Sequence, residues 1–278
     1  MSGIGDRPEM PEVETVVREL VASGLPGLKL TEMRVLWPKI VMGDEPEWFA
    51  NKLSNQNLQR IGRRGKHILF YFSEDLVSVH LRMTGQFEFC DKDSSVLRHQ
   101  HVLMDFEDGR QLRYKDTRKF GRFMRLQSEN DLELGPEAWD MDLNALALKD
   151  ILGRGLRAIK ATLLDQSRIS GLGNIYVDES LFYAGIHPQR PTESLSLSEL
   201  ELLLTAMRKA LNIGLNNLGT TLGTGEANFY SVNGRAGRNQ DSLMVFRRTG
   251  LPCFVCSSPV VKITVAQRST HFCGVCQK

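Results

Sequence analysis

Residues 253–276 read CFVCSSPVVKITVAQRSTHFCGVC, and their cysteines, Cys253, Cys256, Cys273 and Cys276, follow the spacing C-x2-C-x16-C-x2-C. Two disulfides could use the same four residues. A C-x2-C pair bridges poorly within itself, however, and nothing in the chain points to an oxidising compartment. The spacing suits two knuckles that bring four thiolates to one tetrahedral Zn2+. Four protein ligands fill the coordination shell and leave no place for a reactive water, so this zinc is expected to be structural. The remaining cysteine, Cys90, closes the pattern QFEFC and reads as a buried small hydrophobe rather than a nucleophile.

Around the knuckles the charge is lopsided. The 278-residue chain carries a formal net charge of only +2, yet residues 234–278 hold Arg235, Arg238, Arg247, Arg248, Lys262, Arg268 and Lys278 against the single acid Asp241. Positive charge gathered at one end points to a polyanionic partner. With 41% hydrophobic and 24% charged residues, the chain has an ordinary globular composition and enough length for two modest cores. No apolar run approaches the roughly 18 residues of a membrane span, and the opening MSGIGDRPEM lacks the basic start and hydrophobic stretch of a secretion signal. The expectation is a soluble, cytoplasmic protein.

Upstream, Leu28 to Leu126 reads as short strands: LKLTEMRVLW, HILFYF, LVSVHLR, HVLMDF, RQLRYKD and GRFMRL. SEDL and EDGR between them suit hairpin turns. One helix precedes the strands, starting near Pro11 and running through VETVVRELVAS, with proline and acids in its first turn. An acidic stretch, QSENDLELGPEAWDMDLNALALKD, then leads into helical segments: AIKATLLDQ, NIYVDESLFYAG and the amphipathic LSLSELELLLTAMRKALNIGLNNLG. GTTLGTGEANFYSVNGRAG, residues 219–237, is longer than an ordinary connection and is a candidate functional loop. The expected division is a sheet domain over residues 1–130 with 1–7 as an extension, a linker over 131–150, a helical domain over 151–240 and the finger over 241–278.

Several segments carry chemistry. Ile169 to Glu179 places a Gly-x-Gly-Asn turn at the start of a helix, offering backbone N–H groups and Asn174 to an anion such as a DNA phosphate. Arg113 to Gly121 sets four cations and two aromatics in nine residues, and HLRMTG, residues 80–85, ends a strand with a methionine near a turn. An exposed Met or Phe beside arginines can wedge into a base stack. His99 and His101 form an i, i+2 pair on one strand face but lack carboxylate or cysteine neighbours, which favours hydrogen bonding or packing over metal binding. At the front, Glu9, Glu12 and Glu14 crowd two prolines; helix-dipole complementation accounts for Glu12 and Glu14 in part but not for the prolines.

Taken in order, PEMPEVETV, GRRGKHILF, HLRMTG, HVLMDF, RYKDTRKFG, LGPEAW, LLDQSRISGLGNIYVDESLFYAGIHPQR, GTTL and the terminal finger ending in CQK resemble the bacterial formamidopyrimidine-DNA glycosylase family over residues 8–278. The resemblance implies an α+β multi-domain protein: an N-terminal β-sandwich with flanking helices, then a helical domain with a helix-two-turn-helix and the four-cysteine zinc finger. It implies a monomer acting at the bacterial nucleoid on double-stranded DNA that contains oxidised bases. The implied activity is excision of oxidised purines followed by strand cleavage, through a Schiff base formed by an N-terminal proline.

By that resemblance Pro8 is the nucleophile and Glu9 the carboxylate that protonates the sugar. Glu12 and Glu179 support the site, and Lys66 contacts the damaged base or its phosphate. Met83, Arg118 and Phe120 fill the hole left by the flipped nucleotide, with Arg118 facing the orphaned base. Lys160, Asn174, Tyr176 and Arg268 grip phosphates, His99 and Lys119 add DNA contacts, and the loop at 219–237 closes over the purine. In this chain, however, Arg7 precedes Pro8, and a proline inside a chain is a tertiary amide without a nucleophilic nitrogen. The readings that remain open are an enzyme trimmed to Pro8, an enzyme whose start is misassigned ahead of Pro8, a damage-binding protein that has lost the reaction, and an endonuclease VIII-like glycosylase for oxidised pyrimidines.

Overall fold

The computed structural model describes residues 8–153, 155–223 and 228–278; the expected extension at 1–7 lies outside them. The chain divides into two compact units. One comprises the residues up to Leu132 together with Asn217–Arg238, the other Glu133–Asn216 and Asn239–Lys278. Among the described residues no helix is long and apolar enough to cross a membrane.

In chain order the first unit runs α1 (Met10–Ala22), β1 (Leu30–Val35), β2 (Val41–Met42), α2 (Pro46–Leu53), β3 (Leu58–Arg64), β4 (His67–Phe72), β5 (Leu76–His80), β6 (Gly85–Asp91), β7 (Gln100–Phe106), β8 (Arg110–Asp116) and β9 (Arg122–Leu126). One sheet has the order β1-β7-β8-β6 and the other β2-β9-β5-β4-β3, antiparallel throughout except for the β2–β9 pair. Ile68, Phe70 and Phe72 alternate onto the inner face from β4, as Val102, Met104 and Phe106 do from β7. Rings cross between the sheets: Phe70 meets Phe87 at 5.7 Å between centroids, and Tyr114 meets Phe123 at 5.1 Å. The unit is the expected β-sandwich. Val13, Val16, Val17 and Leu20 lie on one face of α1 and are buried in the same core, against β3 and β4.

SEDL and EDGR form the expected hairpins, β4–β5 and β7–β8. β2, α2, β3 and β6 are not among the elements expected from the sequence. The alternation of β3 is broken by a bulge between Leu58 and Arg60, which leaves buried Leu58 and Ile61 three apart. Helix α2 is capped by Glu45, whose carboxylate accepts the Trp48 N–H at 2.8 Å, and buries Phe49, Ala50 and Leu53. Cys90 is half-buried on β6 rather than a core residue. His99 is not on a strand face with His101: it precedes β7 with φ +74°, and this left-handed residue ends the periodicity the pair was read from.

The second unit holds α3 (Ala145–Leu152), α4 (Ile159–Leu163), α5 (Asn174–Ala184), α6 (Leu197–Asn216) and the hairpin of β10 (Val261–Val265) and β11 (Arg268–Phe272). The acidic stretch before α3 is tied to α6. Trp139 Nε1 donates to Asn212 Oδ1 at 2.8 Å, and Arg208 donates to the carbonyls of Asp140 and Leu143, each at 2.7 Å. Segment 217–238 groups with the sheet unit instead of the helices around it, because acids on α1 hold it. Glu19 accepts the Asn233 N–H at 2.9 Å and pairs with Arg235 at 2.6 Å.

Candidate active site

Pro8 and Glu9 sit at the head of α1, with Glu9 only 2% exposed. The Glu9 backbone N–H donates to Glu12 Oε2 at 2.9 Å, and the other oxygen of Glu12 accepts the Thr220 N–H at 2.7 Å. One buried carboxylate thus fixes both the expected acid and the start of the 217–238 segment. Gly219 makes this approach possible: it has φ +82°, and a Cβ there would lie 2.7 Å from Glu12 Cγ. Farther along, Gln86 Nε2 donates to the Asn228 carbonyl at 2.6 Å. Residues 224–227 of the expected purine-covering loop lie outside the described residues.

Lys66 occupies the turn between β3 and β4. Glu14 ties that turn to α1 by accepting Arg63 Nε at 3.0 Å, while Arg63 Nη1 donates to the Gly65 carbonyl at 2.8 Å. Next in sequence, His67 packs edge-on against His80 at 4.7 Å and has Nδ1 2.7 Å from Ser78 Oγ. Burial, with Arg82 and Lys66 adding like charge, pushes its imidazole down from 6.5 to about 4. Between those two values the unfolded chain binds the proton and the folded one does not, so stability rises with pH through this window and is lost as pH falls toward 4. His67→Asn should remove on the order of 2 kcal/mol of the stability difference between about pH 4.5 and pH 7, measured by urea unfolding. Equal losses in wild type and variant would reject this role for His67.

The wedge candidates come from two loops that one tyrosine brings side by side. Ideal Cβ atoms on Gly85 and Gly121 would fall 2.1 and 1.7 Å from Tyr114 Oη, so both loops press on this ring. Its hydroxyl is buried without a hydrogen-bond partner among the described residues. Asp116 completes the junction: it accepts the Thr84 hydroxyl, the Arg118 N–H at 3.1 Å and the Gly121 N–H at 2.7 Å. Arg118 lies over Phe120 at 5.0 Å, and Phe120 is 45% exposed. Met83 corrects the expectation of an exposed wedge, being only 7% exposed. It lines a hollow of about 380 Å3 with Met42, Arg82, Phe120 and Arg122, so it must leave this seat to enter a base stack. Lys119 has φ +60° and sets its ammonium 5.4 Å from the Trp37 ring centroid.

In the second unit Glu179 is fully buried on α5 and accepts the backbone N–H groups of Met244, Val245 and Phe246 at 2.7, 3.0 and 2.9 Å. Burial outweighs these bonds and pushes its carboxyl up to about 7. Two expected phosphate grips are corrected. Lys160 is 0% exposed, its Nζ donating to Asp178 Oδ1 at 2.6 Å and to the Ser269 carbonyl at 3.0 Å. Tyr176 is 1% exposed and packs against Gly214, with its hydroxyl 3.4 Å from Asn239 Nδ2. Asn174 is the first residue of α5, half-buried, and its side-chain oxygen has no partner among the described residues. Arg268 is half-buried at the start of β11, opposite Val265 across a turn in which Ala266 and Gln267 have φ of +48° and +59°. Asp116, Tyr114 and Asp178 were missed because each acts in part on a residue distant in sequence: Thr84, Gly85 and His271 respectively.

The four expected metal ligands converge, with all their sulfurs within 4.8 Å of one another. Cys253 and Cys276 Sγ are 3.9 Å apart and Cys256 and Cys273 Sγ 3.4 Å. A tetrahedral zinc with Zn–S bonds of about 2.3 Å requires sulfurs about 3.8 Å apart, so the set fits. The apolar cluster around the finger is small: Phe182, Val245, Val260 and two of the ligands themselves, Cys253 and Cys273.

Three family profiles cover most of the chain. The N-terminal domain of formamidopyrimidine-DNA glycosylase matches residues 7–123, the H2TH domain of that enzyme residues 134–225, and the zinc finger found in FPG and IleRS residues 250–278. The chain is 40% identical over 274 residues to the formamidopyrimidine-DNA glycosylase of Protochlamydia amoebophila, covering 98% of this chain and 99% of the relative. It is 41% identical over 278 residues to that of Enterococcus faecalis, covering 98% and 97%. Among solved structures, a Lactococcus lactis FPG variant in complex with Fapy-dG containing DNA matches with a TM-score of 0.88 at 35% identity, covering 98% of this chain and 100% of that one. A Lactococcus lactis Fpg complex with abasic-site DNA gives 0.87 at 34% identity, with the same coverage.

Proposed function

The chain belongs to the formamidopyrimidine-DNA glycosylase family, and from that premise we propose that it excises 8-oxoguanine and formamidopyrimidines from duplex DNA and then nicks the strand. It is a DNA glycosylase with one structural zinc. The observation that carries the finer reading is Glu9, held at the head of α1 directly after Pro8 by the Glu12 carboxylate. Once the chain begins at Pro8, its secondary amine adds to C1′ as the glycosidic bond breaks and the base leaves with a proton. Glu9 gives its proton to the sugar ring oxygen as the ring opens, leaving an iminium on Pro8. Loss of a C2′ proton then expels the 3′ phosphate, and hydrolysis returns the amine. An α-amine titrates near pH ~8, so much of it is neutral in the cell, unlike a lysine.

In this reading Lys66 contacts the lesion or its phosphate, Asn174, Arg268, His99 and Lys119 hold the backbone, and Met83, Arg118 and Phe120 fill the gap. Glu179 acts through the 244–246 segment it binds, and Lys160 and Tyr176 act from the interior without touching DNA. The working unit is a monomer in the bacterial cytoplasm, at the nucleoid.

The test is strand cleavage of duplexes carrying 8-oxoguanine opposite cytosine, a formamidopyrimidine or thymine glycol. The purine lesions should be cut at least about tenfold faster than thymine glycol, since a site that hydrogen-bonds one base edge rejects another strongly. Thymine glycol cut as fast would replace the proposal with the pyrimidine-lesion reading. Met83→Ala should slow excision about tenfold with the fold intact, because unstacking energy is no longer offset by the wedge. An unchanged rate would remove Met83 from the wedge.

A further inference from the structure

Asp178 and Glu179 are consecutive on α5, yet they hold two different parts of the chain. Glu179 binds the segment 244–246, which leads into the finger, whereas Asp178 binds β11, on its far side. Asp178 Oδ2 accepts the His271 backbone N–H at 2.8 Å and lies 3.2 Å from His271 Nδ1, while Oδ1 takes the Lys160 ammonium. Neither the Lys160 nor the Asp178 side chain is exposed to solvent.

Removing such a pair from water is expensive, and a site that needed only filling would be more stable with apolar side chains. What directional bonds supply is register. Lys160 fixes the Ser269 carbonyl and Asp178 the His271 N–H, so β11 is pinned on both sides of the buried Thr270. Arg268 is the residue next to the first pin. The tight turn before it leaves no slack, so wherever β11 lies, Arg268 follows.

We propose that Lys160 and Asp178 are positioning residues for Arg268: their buried ion pair sets β11 against α4 and α5 and thereby aims the finger's phosphate contact. This rests on the reading of Arg268 as a DNA-phosphate ligand. Lys160 therefore governs DNA affinity from a place no phosphate reaches.

The experiment is a double-mutant cycle on the full, zinc-loaded chain, with Lys160→Met, Arg268→Ala and their combination. Binding to a duplex containing a tetrahydrofuran abasic analogue is measured across a salt series. Each single variant should weaken binding about tenfold and flatten the salt slope by about one ion, and the double variant should do little more than either, because one contact can be lost only once. A roughly hundredfold loss in the double variant, with the slope flattened by about two, overturns the proposal, since Lys160 would then act independently of Arg268. Unchanged binding by Lys160→Met overturns it as well. If Arg268→Ala binds as wild type does, the phosphate reading of Arg268 fails and the positioning role falls with it, while the lesion-cleavage test stands apart. Zinc content and thermal melting verify folding. If Lys160→Met does not fold because Asp178 is left buried without its partner, the pair Lys160→Met/Asp178→Leu, which removes both pins together, takes its place with the same expected outcomes.

Discussion

Borohydride should trap a covalent DNA adduct with a chain that begins at Pro8 and none with a chain in which Arg7 precedes it. One nitrogen decides the outcome. In the Arg7–Pro8 peptide its lone pair is delocalised into the carbonyl, so it can neither attack C1′ nor form an iminium. Glu9 beside it does not compensate, because a proton donor acts only on a sugar already engaged by a nucleophile. Loss of the nucleophile should slow strand cleavage on the order of 10^4-fold or more. The two chains are compared on 8-oxoguanine duplexes, their N-termini verified by mass spectrometry. Equal trapping by the longer chain would make another amine the nucleophile, with Lys66 the first to replace. If neither chain traps or cuts but both bind lesion DNA tightly, the damage-binding reading takes the place of the enzymatic one.

Removing the zinc, by chelation or by Cys273→Ser, should weaken lesion-DNA binding at least about a hundredfold at ~0.1 M salt. The cluster around the finger is too small to hold the hairpin by itself, and two of its members are metal ligands, so metal binding and folding are one event there. When the hairpin melts, Arg268 and its cationic neighbours lose their fixed places, and contacts of this kind supply much of the affinity for DNA. The sandwich has its own core and should keep its far-UV signature and its melting transition. Metal analysis that finds no zinc in the native protein, or full affinity in Cys273→Ser, would overturn the assignment.

The sequence announced the parts of this molecule that repeat or cluster. Short apolar runs bounded by turn signals, HILFYF and HVLMDF, marked β4 and β7, and two C-x2-C pairs marked the finger. Local signals failed where distant residues decide. In β3 a bulge breaks the alternation, so the strand is defined by its pairing with β4 and not by its own pattern. Lys160 stands in AIKATLL and was expected, by resemblance, to grip a phosphate. Only the fold shows that Asp178 and Ser269 receive it. Met83 and Phe120 were legible as residue types beside arginines, but the junction that places them depends on Tyr114 and Asp116, which join the loop after β8 to the distant Thr84 and Gly85. The carboxylates of Glu9 and Glu12 were visible at once, whereas their division of labour was not.

That division limits how the front of the enzyme can change. Because the two oxygens of Glu12 serve the Glu9 backbone and the Thr220 backbone separately, the proposed lesion enclosure and the proposed proton delivery share a single mechanical joint. Any substitution at Glu12 disturbs both at once, so its phenotype cannot be divided between chemistry and recognition. In an evolving lineage, new lesion preferences are then more accessible through residues of the loop beyond Thr220 than through its root. The root is bound to the carboxylate that also holds Glu9, and inherits its constraints.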